Sequence, residues 1–125
     1  MSDTDHPDPD VDVPSITAEE LREKLERGER INLLDLRPRD EVEEWTIEGA
    51  GVEMANEHYS GFIEAEITGT VRETFEETGL DEPVLVICRE GGASAYVVDL
   101  LVDEGIDAMN LAEGTDAYLE SQESA

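Results

Sequence analysis

Cysteine is nearly absent from this chain: Cys88 is the whole complement. A single cysteine excludes an intrachain disulfide and any metal site built from several thiolates. Histidine is almost as scarce, and His6 and His58 stand too far apart to offer a ligand spacing. Lysine is reduced to Lys24, which with seven arginines makes 8 basic residues against 34 acidic ones. The resulting formal net charge of −26 repels phosphate backbones and anionic lipid surfaces. Neither nucleic acid nor a membrane is an expected partner. No apolar run approaches the roughly 20 residues that a membrane-spanning helix needs. The N-terminus is acidic and has no apolar centre, so no signal peptide is expected and the chain reads as cytoplasmic.

What the chain has in excess is acid, distributed along its whole length. Salt shortens the screening length from about 10 Å at 0.1 M to about 3 Å at 1 M, so such a charge is easier to carry in concentrated salt. The pattern resembles the cytoplasmic proteins of halophiles that accumulate salt internally. A length of 125 residues suits one domain with one modest core.

Residues 1–14, MSDTDHPDPDVDVP, hold five aspartates and three prolines. They cannot bury enough surface to offset the entropy of ordering, and are expected to form a disordered acidic tail. Thr17 and Glu20 have capping-box spacing. Ala18, Leu21 and Leu25 then share one face, which predicts a helix over 18–27 with Gly28 as its stop. INLLDL, 31–36, is a continuous apolar run that suits a strand covered on both faces. PRDEVEEW, 38–45, predicts a helix with proline in its first turn. Residues 46–69 suggest a loop and then a short helix within HYSGFIEAEI. Val71 and Phe75 place a helix within 69–79.

PVLVIC, 83–88, is the clearest strand, with proline at its first position. Val97, Val98, Leu101 and Val102 continue the helical spacing begun at Ser94, which predicts a helix over 93–104 stopped by Gly105. A strand over 107–111 and a helix over 114–120 follow, leaving 121–125 as a C-terminal tail. Strands alternate with helices. The expected class is therefore α/β, with a mainly parallel central sheet and helices on both faces over residues 15–120.

Cys88 stands at the carboxyl end of a buried strand, where open α/β sheets bind ligands. The segment after it, REGGA, 89–93, leads into a helix. Adjacent glycines let several N–H groups turn inward, and the helix start adds partial positive charge. A thiolate, a persulfide anion or a bound oxyanion would all be stabilised there, with Arg89 as a cation near the rim. The alternative is a small buried hydrophobe, because free cysteine is among the most buried residue types. A cysteine-dependent phosphatase or arsenate reductase needs an arginine six positions after the cysteine to clamp phosphoryl oxygens. That position is Ser94.

The segment Cys88-Arg89-Glu90-Gly91-Gly92-Ala93-Ser94 resembles the C-R-x-G-x-R-S loop of single-domain rhodaneses, a family of sulfurtransferases. Asp35-Leu36-Arg37, Glu41-Val42 and the run Trp45–Ala50 resemble that family's D-x-R, E-[FY] and G-H-I-P-G-A. Leu111-Ala112-Glu113-Gly114 with Tyr118 resembles its late L-x-G-G-x-x-x-W. The resemblance covers about residues 15–120. It departs at Ala93, where the family often has arginine, and at Trp45, Thr46 and Glu48, where it has glycine, histidine and proline.

The resemblance implies a rhodanese-like domain with Cys88 as catalytic nucleophile and residues 89–94 as an anion cradle. A sulfane sulfur would pass from a small donor such as thiosulfate to a thiol, cyanide or protein acceptor through a Cys88 persulfide. No metal or organic cofactor is implied. Ser94 could donate a hydrogen bond to the sulfur or serve as the helix N-cap. Asp35 and Arg37 could form a supporting ion pair at the site or a scaffold salt bridge. A rhodanese-like module that only binds a partner or senses oxidants is the reading from another class.

Overall fold

The computed structural model describes residues 13–124. Up to residue 12, the expected acidic tail lies outside the described residues. Its last two residues are tied down: Val13 packs against the core, and Pro14 O accepts from Asn110 N at 2.8 Å.

The elements in chain order are β1 (Ser15–Ile16), α1 (Ala18–Glu26), β2 (Ile31–Asp35), α2 (Arg39–Glu44), β3 (Val52–Asn56), α3 (Tyr59–Thr68), α4 (Val71–Glu77), β4 (Val84–Ile87), α5 (Gly92–Asp103), β5 (Ala108–Leu111) and α6 (Gly114–Ser124). The strands form one five-stranded sheet in the order β1-β5-β4-β2-β3. Every pairing is parallel. No helix among the described residues is long and apolar enough to cross a membrane.

Local sequence chemistry accounts for most of these elements. α1 starts with the expected capping box: Thr17 Oγ1 accepts from Glu20 N at 3.1 Å, and Glu20 Oε1 accepts from Thr17 N at 2.9 Å. β2 and β4 are buried at every position because they occupy the middle of the sheet with helices on both sides. On one face, Leu33, Leu85 and Ile87 pack with Leu21 of α1 and Tyr118 of α6. On the other, Leu34, Val86 and Cys88 pack with Phe62 of α3, Phe75 of α4 and Val98 of α5.

Several boundaries differ from expectation. Pro38 sits at the N-cap of α2, one residue before its first turn. Pro83 precedes β4, and Cys88 lies just past its end. α6 continues to Ser124, beyond the expected 120. Two strands were not foreseen, β1 and β3. Both are sheet edges, where short or half-exposed strands show little alternation. In β3, Glu53 and Met54 are exposed, and its register is set by backbone pairing to β2 from Ile31–Val52 through Asp35–Asn56.

The topology places a crevice. From β2 the chain crosses to β3 on one side, and from β4 it crosses to β5 on the other. The carboxyl ends of β2 and β4 therefore flank the switch point, the usual ligand position in an open parallel sheet. Cys88 and the residues after Asp35 both emerge there.

Candidate functional site

The loop from Cys88 to Ser94 wraps around the cysteine sulfur. Sγ accepts from Gly91 N at 3.1 Å and from Ser94 N at 3.3 Å. Ser94 Oγ lies 3.3 Å from Sγ and accepts from it. Gly91 is the N-cap of the 12-residue helix α5, so the sulfur sits at the positive end of that helix. The residue as a whole is 7% exposed. The helix start and the two amides supply an environment suited to negative charge on sulfur.

Two glycines make this curl possible. Gly91 has φ +95°, a left-handed conformation, and a Cβ on it would lie 2.9 Å from Glu113 N. Gly114 has φ +75°, and a Cβ there would lie 2.2 Å from Arg89 O. The loop thus runs in backbone contact with the turn between β5 and α6. The first amides of α6 use that contact: Thr115 N donates to Cys88 O at 2.9 Å and Asp116 N to Arg89 O at 3.0 Å. Helix-start amides need such acceptors. With those two carbonyls turned to α6, planar trans peptides turn the N–H groups of Arg89 and Glu90 away from it.

The remaining loop positions have distinct surroundings. The Arg89 side chain is 60% exposed and its Nε lies 3.9 Å from Asp116 Oδ1. Its charge is therefore shared with α6. Glu90 is exposed. Gly92 begins α5, and a Cβ on it would meet nothing within 4 Å, so the loop is open on that side. Ala93 packs against the core and adds no cation. Ser94 is not the N-cap of α5, a position taken by Gly91. It stands at the third helical position, fully buried.

Asp35 and Arg37 form a buried ion pair with no contact to the sulfur. Arg37 donates from Nε and Nη2 to Asp35 Oδ2 at 3.2 and 2.9 Å, and its backbone N donates to Oδ1 at 3.0 Å. Arg37 Nη2 also donates to Trp45 O at 2.6 Å, and its guanidinium lies 5.4 Å from the centre of the Trp45 ring. Thr46 Oγ1 donates to Asp35 Oδ2 at 3.2 Å. Leu34 and Leu36 pack with Cys88, so Asp35 between them faces the other side of the sheet. The pair links the 37–46 segment to the end of β2.

That opposite face also carries a cleft of about 320 Å³ lined by Val42, Trp45, Ile47, Glu48 and Tyr118, among others. No residue of the cysteine loop lines it. Burial raises the Tyr118 phenol above its usual range; Arg22 partly offsets this and Glu26 adds to it.

Sequence reasoning passed over Asn110. It sits in β5 beside Val86, on the same face as Ala108 and the cysteine. Ser94 Oγ donates to Asn110 Oδ1 at 2.5 Å. The available signal was an amide in the otherwise apolar run AMNL.

Strand, glycine turn and helix around one buried cysteine, at the switch point of a parallel sheet, define a cysteine-centred α/β domain. The family model for the rhodanese-like domain matches residues 17–121, and the chain belongs to that family. It is 27% identical over 109 residues to YtwF of Bacillus subtilis (strain 168), provisionally named a sulfurtransferase, with 86% of this chain and 92% of that one covered. A rhodanese-related protein from Thermoplasma volcanium superposes with a TM-score of 0.64 at 24% identity, covering 86% of this chain and 92% of that one. CoADR-RHD of Bacillus anthracis superposes with a TM-score of 0.63 at 21% identity. It covers 85% of this chain, which spans only 16% of that much longer one. The last two likenesses are likenesses of fold.

Proposed function

We propose that this chain is a sulfurtransferase that carries a sulfane sulfur on Cys88. The cysteine thiolate attacks the outer sulfur of a donor such as thiosulfate. One S–S bond forms, the donor's S–S bond breaks, and its electron pair leaves with sulfite. Cys88 is then a persulfide with the negative charge on its terminal sulfur. An acceptor, whether cyanide, a thiolate or a protein thiolate, attacks that sulfur. The bond to Sγ breaks, the pair returns to Sγ, and the thiolate is restored. One difficult transfer becomes two easier ones. No net electrons enter or leave, so the cycle calls for no redox cofactor and no metal.

The observation that carries this reading is the pair of amides, Gly91 N and Ser94 N, aimed at Sγ from 3.1 and 3.3 Å. Fixed donors of this kind stabilise charge on sulfur without reorganising during the reaction. The family membership and the sulfurtransferase name of a relative support the same chemistry. The acidic composition fits a salt-rich cytoplasm as the setting.

The test is intact mass after incubation with thiosulfate in concentrated potassium chloride, followed by cyanide or a thiol. Wild type should gain one sulfur and lose it to the acceptor, and Cys88→Ser should gain none. The rival is a module that binds a partner or senses oxidants. It draws on the burial of Cys88, the pairing of Arg89 with Asp116 and the lack of a cation at Ala93. Failure to gain sulfur from thiosulfate and from mercaptopyruvate would favour the rival. Sulfenic acid or an intermolecular disulfide at Cys88 would identify a sensor.

A further inference from the structure

Arg89 is the only basic residue of the cysteine loop. The first turn of α6 holds it at two points: Asp116 N donates to Arg89 O at 3.0 Å, and Asp116 Oδ1 lies 3.9 Å from Arg89 Nε. Asp116 is therefore kept beside Arg89 by the backbone as well as by charge. Two further carboxylates border the loop, and both are exposed. Glu90 lies within it, and Glu113 adjoins Gly91, where a Cβ would lie 2.9 Å from Glu113 N. Tyr59 and Ala93, packed on the cluster that holds Cys88, bring no charge to offset them. Arg37 is bonded to Asp35 on the opposite face.

We infer that Asp116 is a specificity-determining residue: by pairing with Arg89 it leaves the mouth of the cysteine loop net negative, so that Cys88 takes sulfur from neutral or positively charged donors ahead of the thiosulfate dianion. The inference rests on the reading of Cys88 as the sulfur carrier. A dianion approaching the loop meets Glu90, Glu113 and Asp116 with only Arg89 to attract it, and like charges this close repel. A persulfide whose carbon chain carries an ammonium group meets attraction instead. Its outer sulfur bonds to Sγ, its own S–S bond breaks, and the electron pair leaves on the donor sulfur, which takes up the persulfide proton. Thiosulfate remains usable in concentrated salt, where screening is strongest.

The test compares two methanethiosulfonates of similar bulk, one bearing a trimethylammonium group and one a sulfonate. Each forms a disulfide with Cys88 and releases methanesulfinate. Cys88 is the chain's only cysteine, so the labelled site is unambiguous. Both reagents draw on the same thiolate, so its abundance cancels in the ratio of their rates. That ratio, cation over anion and divided by its value for free N-acetylcysteine, reads the charge at the mouth. Rates are taken at the lowest potassium chloride concentration that keeps each variant folded by circular dichroism. Wild type should give a ratio of roughly ten or more. Asp116→Asn should lower it about threefold, Arg89→Gln should raise it by a similar factor, and Asp116→Glu should keep it. Glu76→Gln removes the same charge from the last turn of α4, which leads into the amino end of β4 away from the cysteine, and should leave the ratio near wild type. Asp116→Asn should also load sulfur from thiosulfate faster than wild type. A wild-type ratio at or below one overturns the inference, as does an Asp116→Asn effect no larger than that of Glu76→Gln. If Asp116→Asn does not fold, Arg89→Gln decides alone, and an unchanged ratio overturns the inference. The reagents need no sulfur transfer, so failure here is separable from failure of the sulfur-carrier reading, which loading from thiosulfate and mercaptopyruvate decides.

Discussion

Asp35 ends β2 and Cys88 follows the last residue of the neighbouring β4, yet their side chains leave opposite faces of the sheet. The backbones are in direct contact there, with Leu36 N donating to Ile87 O at 2.9 Å. Strand alternation separates the side chains: Leu34, Leu36 and Cys88 share one cluster, while Asp35 and Arg37 turn toward Trp45 on the other side. The D-x-R motif thus makes its contacts with Trp45 and Thr46, on the face away from the sulfur.

A clear consequence concerns Asp35→Asn. The substitution leaves Arg37 buried with a charge and no carboxylate. Breaking a buried pair from one side costs about 3–5 kcal/mol, a large share of the roughly 5–15 kcal/mol that stabilises a domain. Urea unfolding should show a loss of this order. The alkylation rate of Cys88 in the molecules that remain folded should stay near wild type. A large change in that rate without a loss of stability would place Asp35 in the site after all.

Gly91→Ala should damage the loop more than its size suggests. The residue is held at φ +95° and its new Cβ would press on Glu113 N at 2.9 Å. Strain and overlap together should cost more than about 1 kcal/mol and displace the amide that faces Sγ. Lower thermal stability combined with slower sulfur loading is the expected outcome. Gly92→Ala is the contrasting control, since a Cβ there meets nothing within 4 Å. Equal losses in both variants would contradict the packing argument.

Beside the edge strand β1, Thr17→Ala removes the side-chain half of the α1 capping box. Loss of such a cap costs about 1 kcal/mol. Chemical denaturation should register this cost while sulfur loading per folded molecule stays unchanged.

Tyr118 makes alkaline stability predictable in sign. Burial raises its phenol in the folded state above the unfolded value of about 10. The folded state therefore holds the proton more tightly. The contribution is complete below pH 10 and is lost as pH rises through the higher folded value. Denaturant unfolding of wild type should weaken above pH 10, and Tyr118→Phe should weaken less over the same range. Identical alkaline profiles would show that Tyr118 contributes nothing there.

Salt should stabilise the folded chain. With a formal charge of −26, self-repulsion is strongest where screening is weakest. The thermal midpoint should climb as potassium chloride is raised toward molar concentration. A flat response would show that the acid surface does not oppose folding.

Much of this protein was legible in its sequence because local rules governed those parts. Helix α1 announced itself through Thr17, Glu20 and one apolar face. β2 and β4 stood out as short continuous apolar runs, which is how strands covered on both faces appear. The cysteine loop was readable because strand, glycines and helix are consecutive in the chain. Ordering them needs no distant partner to be identified.

Other features were decided by contacts between segments far apart in sequence. β3 owes its register to β2, and β1 owes its pairing to β5, so neither carries a strong pattern of its own. The role of Ser94 depended on Gly91 taking the cap, which followed from a left-handed turn packed against Glu113. Asn110 reached the site only because parallel pairing sets β5 beside β4. The choice between site and scaffold for Asp35 and Arg37 depended on strand parity and on where Trp45 came to rest. The sequence by itself determined the elements and the chemistry of the loop, through propensity, capping and hydrophobic pattern. Tertiary structure alone decided which face each polar side chain occupied and which distant residue met Ser94 of the cysteine loop, because those outcomes depend on sheet register and packing between segments.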